Sequence, residues 1–231
     1  MLRAIIFDFN GVILNDEPIH FQAMKRTVAE LGITLDREEY WTQYLPLDDV
    51  NCLEAICRDH KIALTAEQSR HALAEKSAVY RQLLEGQYPL FPGAEDFVRD
   101  AAKMYPLALA SGARRDEIEG TLRATGLFSS FLVVLGAEDF VRGKPHPESF
   151  LLALSRLNVC LDGRVSPILP AECLVIEDSA GGVQGARAAG MKCMAVTNSY
   201  PRWKLLEANV IVASLREVRV DRLSEVVEEQ R

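Results

Sequence analysis

Four groups of polar residues stand where apolar runs stop. They are Asp8 with Asn10 in AIIFDFNGV, Ser111-Gly112 in LALASG, Lys144 in RGKPHP, and Glu177-Asp178 in LVIEDS. Asp8 is a carboxylate that could act as a nucleophile. Asp8, Glu177 and Asp178 supply hard oxygen ligands of the kind Mg²⁺ takes, few from protein and the rest from water or phosphate. Ser111 offers a hydroxyl, and the backbone amides around Gly112 could hold a phosphate oxygen. Lys144 supplies a compact positive charge for the same group. Phosphoryl transfer depends mostly on positioning and electrostatic stabilisation, which this set provides. Each group also has an ordinary reading: a hairpin turn at Asn10-Gly11, a turn at Ser111-Gly112, a solvated loop at Lys144-Pro145, and a helix cap at Glu177-Asp178. Their order along the chain, each beyond a strand, favours a site.

The elements that would carry them follow from patterning. Strands are predicted over 3–8, 107–111, 131–135, 173–177, 192–197 and 210–212. Most are continuous apolar runs, as in parallel strands buried on both faces. Helices are predicted between them over 93–104, 115–125, 147–157, 180–189 and 201–208, with Gly126 and Gly190 where C-terminal caps belong. Strand and helix in alternation imply an α/β fold, a doubly wound parallel sheet. In such sheets ligands bind beyond the carboxyl ends of the strands, where these polar residues fall.

One stretch breaks the rhythm. Phe21, Met24, Val28 and Leu31 recur at helical spacing, Asp36 and Glu39 have the spacing of a capping box, and Thr65 with Gln68 opens a long helix ending near Gly86. Pro46 separates the inner helices. Residues 16–88 are therefore expected to form an all-helical inserted cap domain, and residues 1–15 and 89–231 the α/β core.

The chain has 231 residues, 48% of them hydrophobic and 26% charged, with a formal net charge of −7. This balance suits a globular protein and gives no support to a nucleic-acid or anionic-membrane partner. The early apolar run AIIF is too short for a signal segment or membrane span. Cys52, Cys57, Cys160, Cys173 and Cys193 are odd in number, scattered, and within or beside apolar segments. They read as reduced core thiols of a cytoplasmic protein. A monomer is expected.

FDFNGV at 7–12, ASG at 110–112, GKPHPESF at 143–150 and VIEDSAGGVQGARAAGM at 175–191 resemble the four motifs of the haloacid dehalogenase-like hydrolase superfamily. The resemblance is closest to its helical-cap phosphatase and β-phosphoglucomutase branch and covers nearly the whole chain. It implies a Rossmann-like core and an aspartyl-phosphate formed on Asp8. Mg²⁺ would be held by Asp8, the main-chain carbonyl of Asn10, Glu177 and Asp178. Ser111, Gly112 and Lys144 would bind the transferring phosphoryl group.

Two positions depart from that pattern. Where this chain has Asn10, most of the family's phosphatases and mutases carry an aspartate that protonates the leaving oxygen and later activates water. Asn keeps the shape but cannot transfer that proton. In the early cap, the branch's mutases carry an arginine that grips a second phosphate, and here Asp48 and Asp49 stand in that stretch. His20 and Lys76 could face the cleft. Lys76 reads first as a solvated helix residue, and His20 equally as hinge packing or as an active-site hydrogen-bonding group. Arg114 and Arg115 read as solvated first-turn residues that could also steer anions. The 160–170 segment resembles a loop longer than the fold requires. The resulting expectation is a Mg²⁺-dependent phosphatase of small phosphorylated metabolites, with its acid–base step impaired or altered at Asn10. The alternatives are a catalytically silent phosphometabolite-binding protein and, less favoured, a phosphosugar mutase. Dehalogenase chemistry fits least.

Overall fold

The computed structural model describes residues 1–45, 47, 49–163 and 166–228. The chain divides into two compact units, Met1–Asn15 with Pro89–Arg231, and Asp16–Tyr88.

The first unit is built on a six-stranded sheet. Its strands are β1 (Ala4–Phe7), β2 (Leu107–Ala110), β3 (Val133–Leu135), β4 (Cys173–Glu177), β5 (Lys192–Val196) and β6 (Val210–Val212). Every neighbouring pair is parallel, in the order β3-β2-β1-β4-β5-β6. The chain therefore starts at the centre, winds out to β3, and returns to wind the other way. The switch point lies between β1 and β4, where Phe7 stands in register with Ile176.

The second unit is helical. It holds α1 (Glu17–Ala29), a single turn α2 (Arg37–Glu39) running into a π-helical turn at Tyr40–Tyr44, α3 (Asp49–Asp59) and α4 (Ala66–Leu84). Phe21, Met24 and Val28 of α1 pack with Leu53 and Ile56 of α3 around Leu35 and Tyr44. The Thr65–Gln68 capping box forms in both directions. The Asp36–Glu39 box forms only in half. Asp36 accepts from the Glu38 and Glu39 amides, whereas the Glu39 carboxylate accepts from the Tyr44 hydroxyl instead (3.1 Å). Pro46 and Asp48 lie outside the described residues.

The core helices are α5 (Ala94–Met104), α6 (Arg115–Ala124), α7 (Glu148–Cys160), α8 (Ala180–Ala188) and α9 (Leu223–Glu228). They cover both faces of the sheet, and the strand alternation assigns them. Ile5, Phe7, Leu109 and Ile176 pack with Phe97 of α5 and Ile118 and Leu122 of α6. Ala4, Ile6, Ala108 and Val175 point the other way, to Phe150 and Leu157 of α7 and Val183 of α8. Burial on both faces is why the strands read as unbroken apolar runs.

Two expectations are corrected. Residues 201–208 form only a 3₁₀ turn at Arg202–Lys204: Leu205 is anchored in the core with the small Ala208 packed against it, while Trp203 and Leu206 are exposed, leaving too little apolar face to carry a helix. Four cysteines are buried free thiols, but Cys160 ends α7 and is exposed. Arg164 and Val165, in the 160–170 segment, lie outside the described residues. No helix among the described residues is long and apolar enough to cross a membrane.

Candidate active site

Asp8 directly follows β1. Its amide still donates to the Ile176 carbonyl (2.9 Å), so the backbone continues the ladder while the side chain leaves the sheet edge. The buried carboxylate is ion-paired with the Lys144 ammonium. Burial pushes the Asp8 carboxyl up to about 6, with Lys144 opposing and the Glu177 charge reinforcing the rise.

Glu177 ends β4 and is fully buried. Its Oε1 accepts from Lys144 Nζ at 2.6 Å. Its Oε2 accepts from the Asp178 amide (2.8 Å), the Ser179 amide (2.8 Å) and the Ser179 hydroxyl (2.9 Å). Burial alone would raise this carboxyl, but Lys144 and the amide donors hold it below the usual range. Asp178 is also buried and lies well above the usual range, because of burial and the Glu177 and Asp8 charges, with a Ser199 hydrogen bond only partly offsetting them. Burial would lower Lys144, yet Asp8 and Glu177 raise it above its ordinary value, so it stays an ammonium.

Oxygen atoms of Asp8, Glu177 and Asp178 lie within 4.8 Å of one another. One ammonium faces three carboxylates here, which leaves two formal negative charges in a buried pocket. Three converging hard oxygen donors with that excess fit a divalent cation such as Mg²⁺.

Glycines make room for this packing. A Cβ on Gly182 would overlap the Glu177 carboxylate, and one on Gly11 would overlap Asp178. Gly11 also has φ +77°, in the left-handed region. It is fixed on both sides: its amide donates to the Leu14 carbonyl (3.0 Å), and its carbonyl accepts from Asn198 Nδ2 (2.7 Å). Asn10 sits in this turn, half-buried. Val12, Ile13 and Leu14 are all buried, so the segment is a compact turn and not the returning arm of a half-exposed hairpin.

Ser111 and Gly112 follow β2, beside β1 at the same sheet edge. Ser111 is buried, its Oγ accepting from the Ala113 amide (3.2 Å), and Gly112 is exposed. The structure thus brings Asp8 and Glu177 into direct contact with Lys144, holds Asp178 in the same oxygen cluster, and sets Ser111 on the adjoining strand end. Two ordinary readings are corrected. Lys144 is no solvated loop residue, being drawn inward by two buried carboxylates. The cap of α8 is Ser179, whose Oγ accepts from the Gly182 amide, and not Glu177 or Asp178.

Arg114 is exposed (62%) and turned to Asp116. Arg115 pairs with Asp139 at 2.5 Å. Within the helical unit, Lys76 corrects the solvated reading: it is 1% exposed. Its ammonium donates to both Asp49 oxygens (2.7 and 2.8 Å) and lies 2.6 Å from His20 Nδ1. His20 Nε2 is 3.2 Å from Asp16 Oδ2, and the ring stacks on Tyr80. Sequence reasoning missed Ser179, Gly182, Asn198 and Ser199. Asn198 and Ser199 follow an apolar strand, the same signal that marked Asp8.

The family profile of the haloacid dehalogenase-like hydrolases matches residues 2–190. The phosphorylated carbohydrates phosphatase of Thermotoga maritima is 30% identical over 229 residues, 98% of this chain and 100% of that one. The fructose-1-phosphate phosphatase YqaB of Escherichia coli is 30% identical over 203 residues, 84% of this chain and 95% of that one. Among solved structures, CbbY from Rhodobacter sphaeroides, an Asp-to-Asn variant in complex with xylulose-1,5-bisphosphate, is 27% identical with a TM-score of 0.73 over 94% of this chain and 96% of that one. A β-phosphoglucomutase from Clostridium difficile shares the fold at 24% identity, with a TM-score of 0.77 over 99% of this chain and 98% of that one. With its motifs at the carboxyl ends of a doubly wound parallel sheet and a profile match over most of its length, the chain belongs to the haloacid dehalogenase-like hydrolases.

Proposed function

We propose that this protein is a Mg²⁺-dependent phosphatase of small phosphorylated metabolites that works through an aspartyl-phosphate on Asp8. The observation that carries the reading is the buried contact of Asp8 and Glu177 with Lys144 at the switch point of the sheet, with Asp178 in the same oxygen cluster. Relatives named as sugar-phosphate phosphatases, aligned over most of both chains, support the substrate class.

Asp8, Glu177, Asp178 and the Asn10 carbonyl would hold Mg²⁺, which when bound supplies positive charge against the carboxylates and the substrate phosphate. Asp8 attacks phosphorus, the bond to the leaving oxygen breaks, and Lys144 and Ser111 hold the phosphoryl oxygens. Water then releases phosphate from Asp8. Both steps call for a proton carrier at position 10, and Asn10 is not one. Turnover is therefore weighted toward leaving groups that need little protonation.

A second reading is favoured by that same residue: a phosphometabolite-binding protein that no longer turns over. The CbbY variant shows that an asparagine in place of an aspartate in that relative is compatible with a bound sugar bisphosphate. A panel of phosphorylated metabolites assayed with Mg²⁺ separates the two. Phosphate release abolished by EDTA and by Asp8→Ala supports the phosphatase. Saturable binding without release supports the silent protein.

A further inference from the structure

The residues that follow β5 take no part in the steps above, yet they touch two separate pieces of the site. The Thr197 amide still donates to the Val212 carbonyl (3.0 Å), so the chain leaves the sheet only at Asn198. Asn198 Nδ2 donates to the Gly11 carbonyl at 2.7 Å. The next residue, Ser199, hydrogen-bonds the Asp178 carboxylate, and a Cβ on Gly11 would come within 2.8 Å of its hydroxyl. Two consecutive half-buried side chains thus clasp the turn after β1 and the carboxylate after β4.

We infer that Asn198 and Ser199 are positioning residues of the phosphoryl-transfer site: Ser199 aims Asp178 at the cation, and Asn198 fixes the turn that presents Asn10. The inference rests on the phosphatase reading, since it assumes a cation among the three carboxylates. The chemistry is specific to the groups present. A serine hydroxyl donates one hydrogen bond and so selects one orientation of an acceptor carboxylate. The Asn198 carboxamide donates to the carbonyl of Gly11, whose φ of +77° lies in the left-handed region. With the Gly11 amide already donating to the Leu14 carbonyl, this second bond ties the peptide on the other side of Gly11 as well. Partners that orient ligands in this way typically change metal affinity or activity by about 10- to 100-fold when removed.

The test is Mg²⁺ calorimetry on the full-length protein, with the metal-free melting temperature measured alongside. Ser199→Ala is expected to weaken Mg²⁺ binding by about tenfold at an unchanged melting temperature, and Ser199→Thr, which keeps the hydroxyl, to restore it. Asn198→Ala is expected to weaken Mg²⁺ binding and to lower kcat on acetyl phosphate with little change in KM. Asp178→Ala serves as the reference for loss of the cation site. If Asp178→Ala abolishes binding while Ser199→Ala and Asn198→Ala bind Mg²⁺ like the parent, this inference falls and the phosphatase reading stands. If the variants lose affinity only in step with melting temperature and Ser199→Thr rescues nothing, the two residues are structural and the inference is overturned. If the parent binds no Mg²⁺, or Asp178→Ala binds it equally well, both readings fall together.

Discussion

An amide occupies position 10, in the turn that follows the buried Asp8 carboxylate. Gly11 is left-handed and lacks the Cβ that would overlap Asp178, and Asp8 is buried against an ammonium. Asn10 supplies a carbonyl but no titratable proton. Asn10→Asp should therefore raise hydrolysis of alkyl phosphate monoesters by about 10²- to 10⁴-fold, the usual worth of a positioned general acid–base. Acetyl phosphate, whose leaving group needs little protonation, should gain much less. Because Asn-Gly pairs deamidate readily, peptide mass analysis of the assayed sample must show Asn10 intact. Flat monoester turnover in Asn10→Asp across the panel would mean that the missing acid is not what limits the protein. At this scale the sequence was readable where a polar residue ended an apolar run, as at Asp8 and Glu177. Lys76 was not readable. Its burial depends on Asp49, a residue of another helix, and nothing in the local pattern of α4 announces that pairing. Asn198 and Ser199 gave the right positional signal, but hydroxyl and carboxamide groups are so common in loops that their types pointed to nothing.

Elements were more legible than single contacts, and the reason is burial. Strands covered on both faces cannot alternate with polar residues, so most of the six appeared as apolar runs. Segment 201–208 misled because Trp203 and Leu206 contribute apolar character without an apolar face. In the helical unit, α1 and α4 are joined by polar contacts as well as packing: the Tyr80 hydroxyl donates to Asp16 Oδ2 at 2.7 Å, on the oxygen that also faces His20. Burial would raise the Asp16 carboxyl, but the His20 hydrogen bond and charge, and then Tyr80, hold it below its ordinary value of 3.8. A carboxyl depressed on folding stabilises above its unfolded pKa and loses that contribution as pH falls through its folded pKa. Tyr80→Phe should thus destabilise the helical unit by about 2 kcal/mol at neutral pH, as for a hydrogen bond to a charged group. That penalty should shrink on acidification below the ordinary carboxylate range. Urea melts followed by Trp41 fluorescence in a Trp203→Phe background would read it. A penalty that stays constant into acid would show that Tyr80 contributes through packing alone.

For the molecule as a whole, the carboxylate cluster concentrates like charge that the proposed cation would offset. The chain is already acidic, at −7, and the core concentrates three carboxylates around one ammonium at the centre of its sheet. Without a cation, Asp178 sits buried beside two like charges, which its raised carboxyl pKa reflects. Asp178→Asn keeps the shape and an acceptor for Ser199 while removing that charge. In EDTA it should therefore melt above the parent. With Mg²⁺ the order should reverse. A ligand bound only by the folded state adds about 2.7 kcal/mol at a hundred times its Kd, or about 5–10 °C in melting temperature for a chain of this size. The parent should gain that shift and Asp178→Asn little or none of it. The paired melts, with and without Mg²⁺, check both signs at once. A parent indifferent to Mg²⁺, or a full shift retained by Asp178→Asn, would remove these carboxylates as a cation site. A variant that melts below the parent in EDTA would instead mean that the Asp178 charge is compensated by groups other than a bound ion.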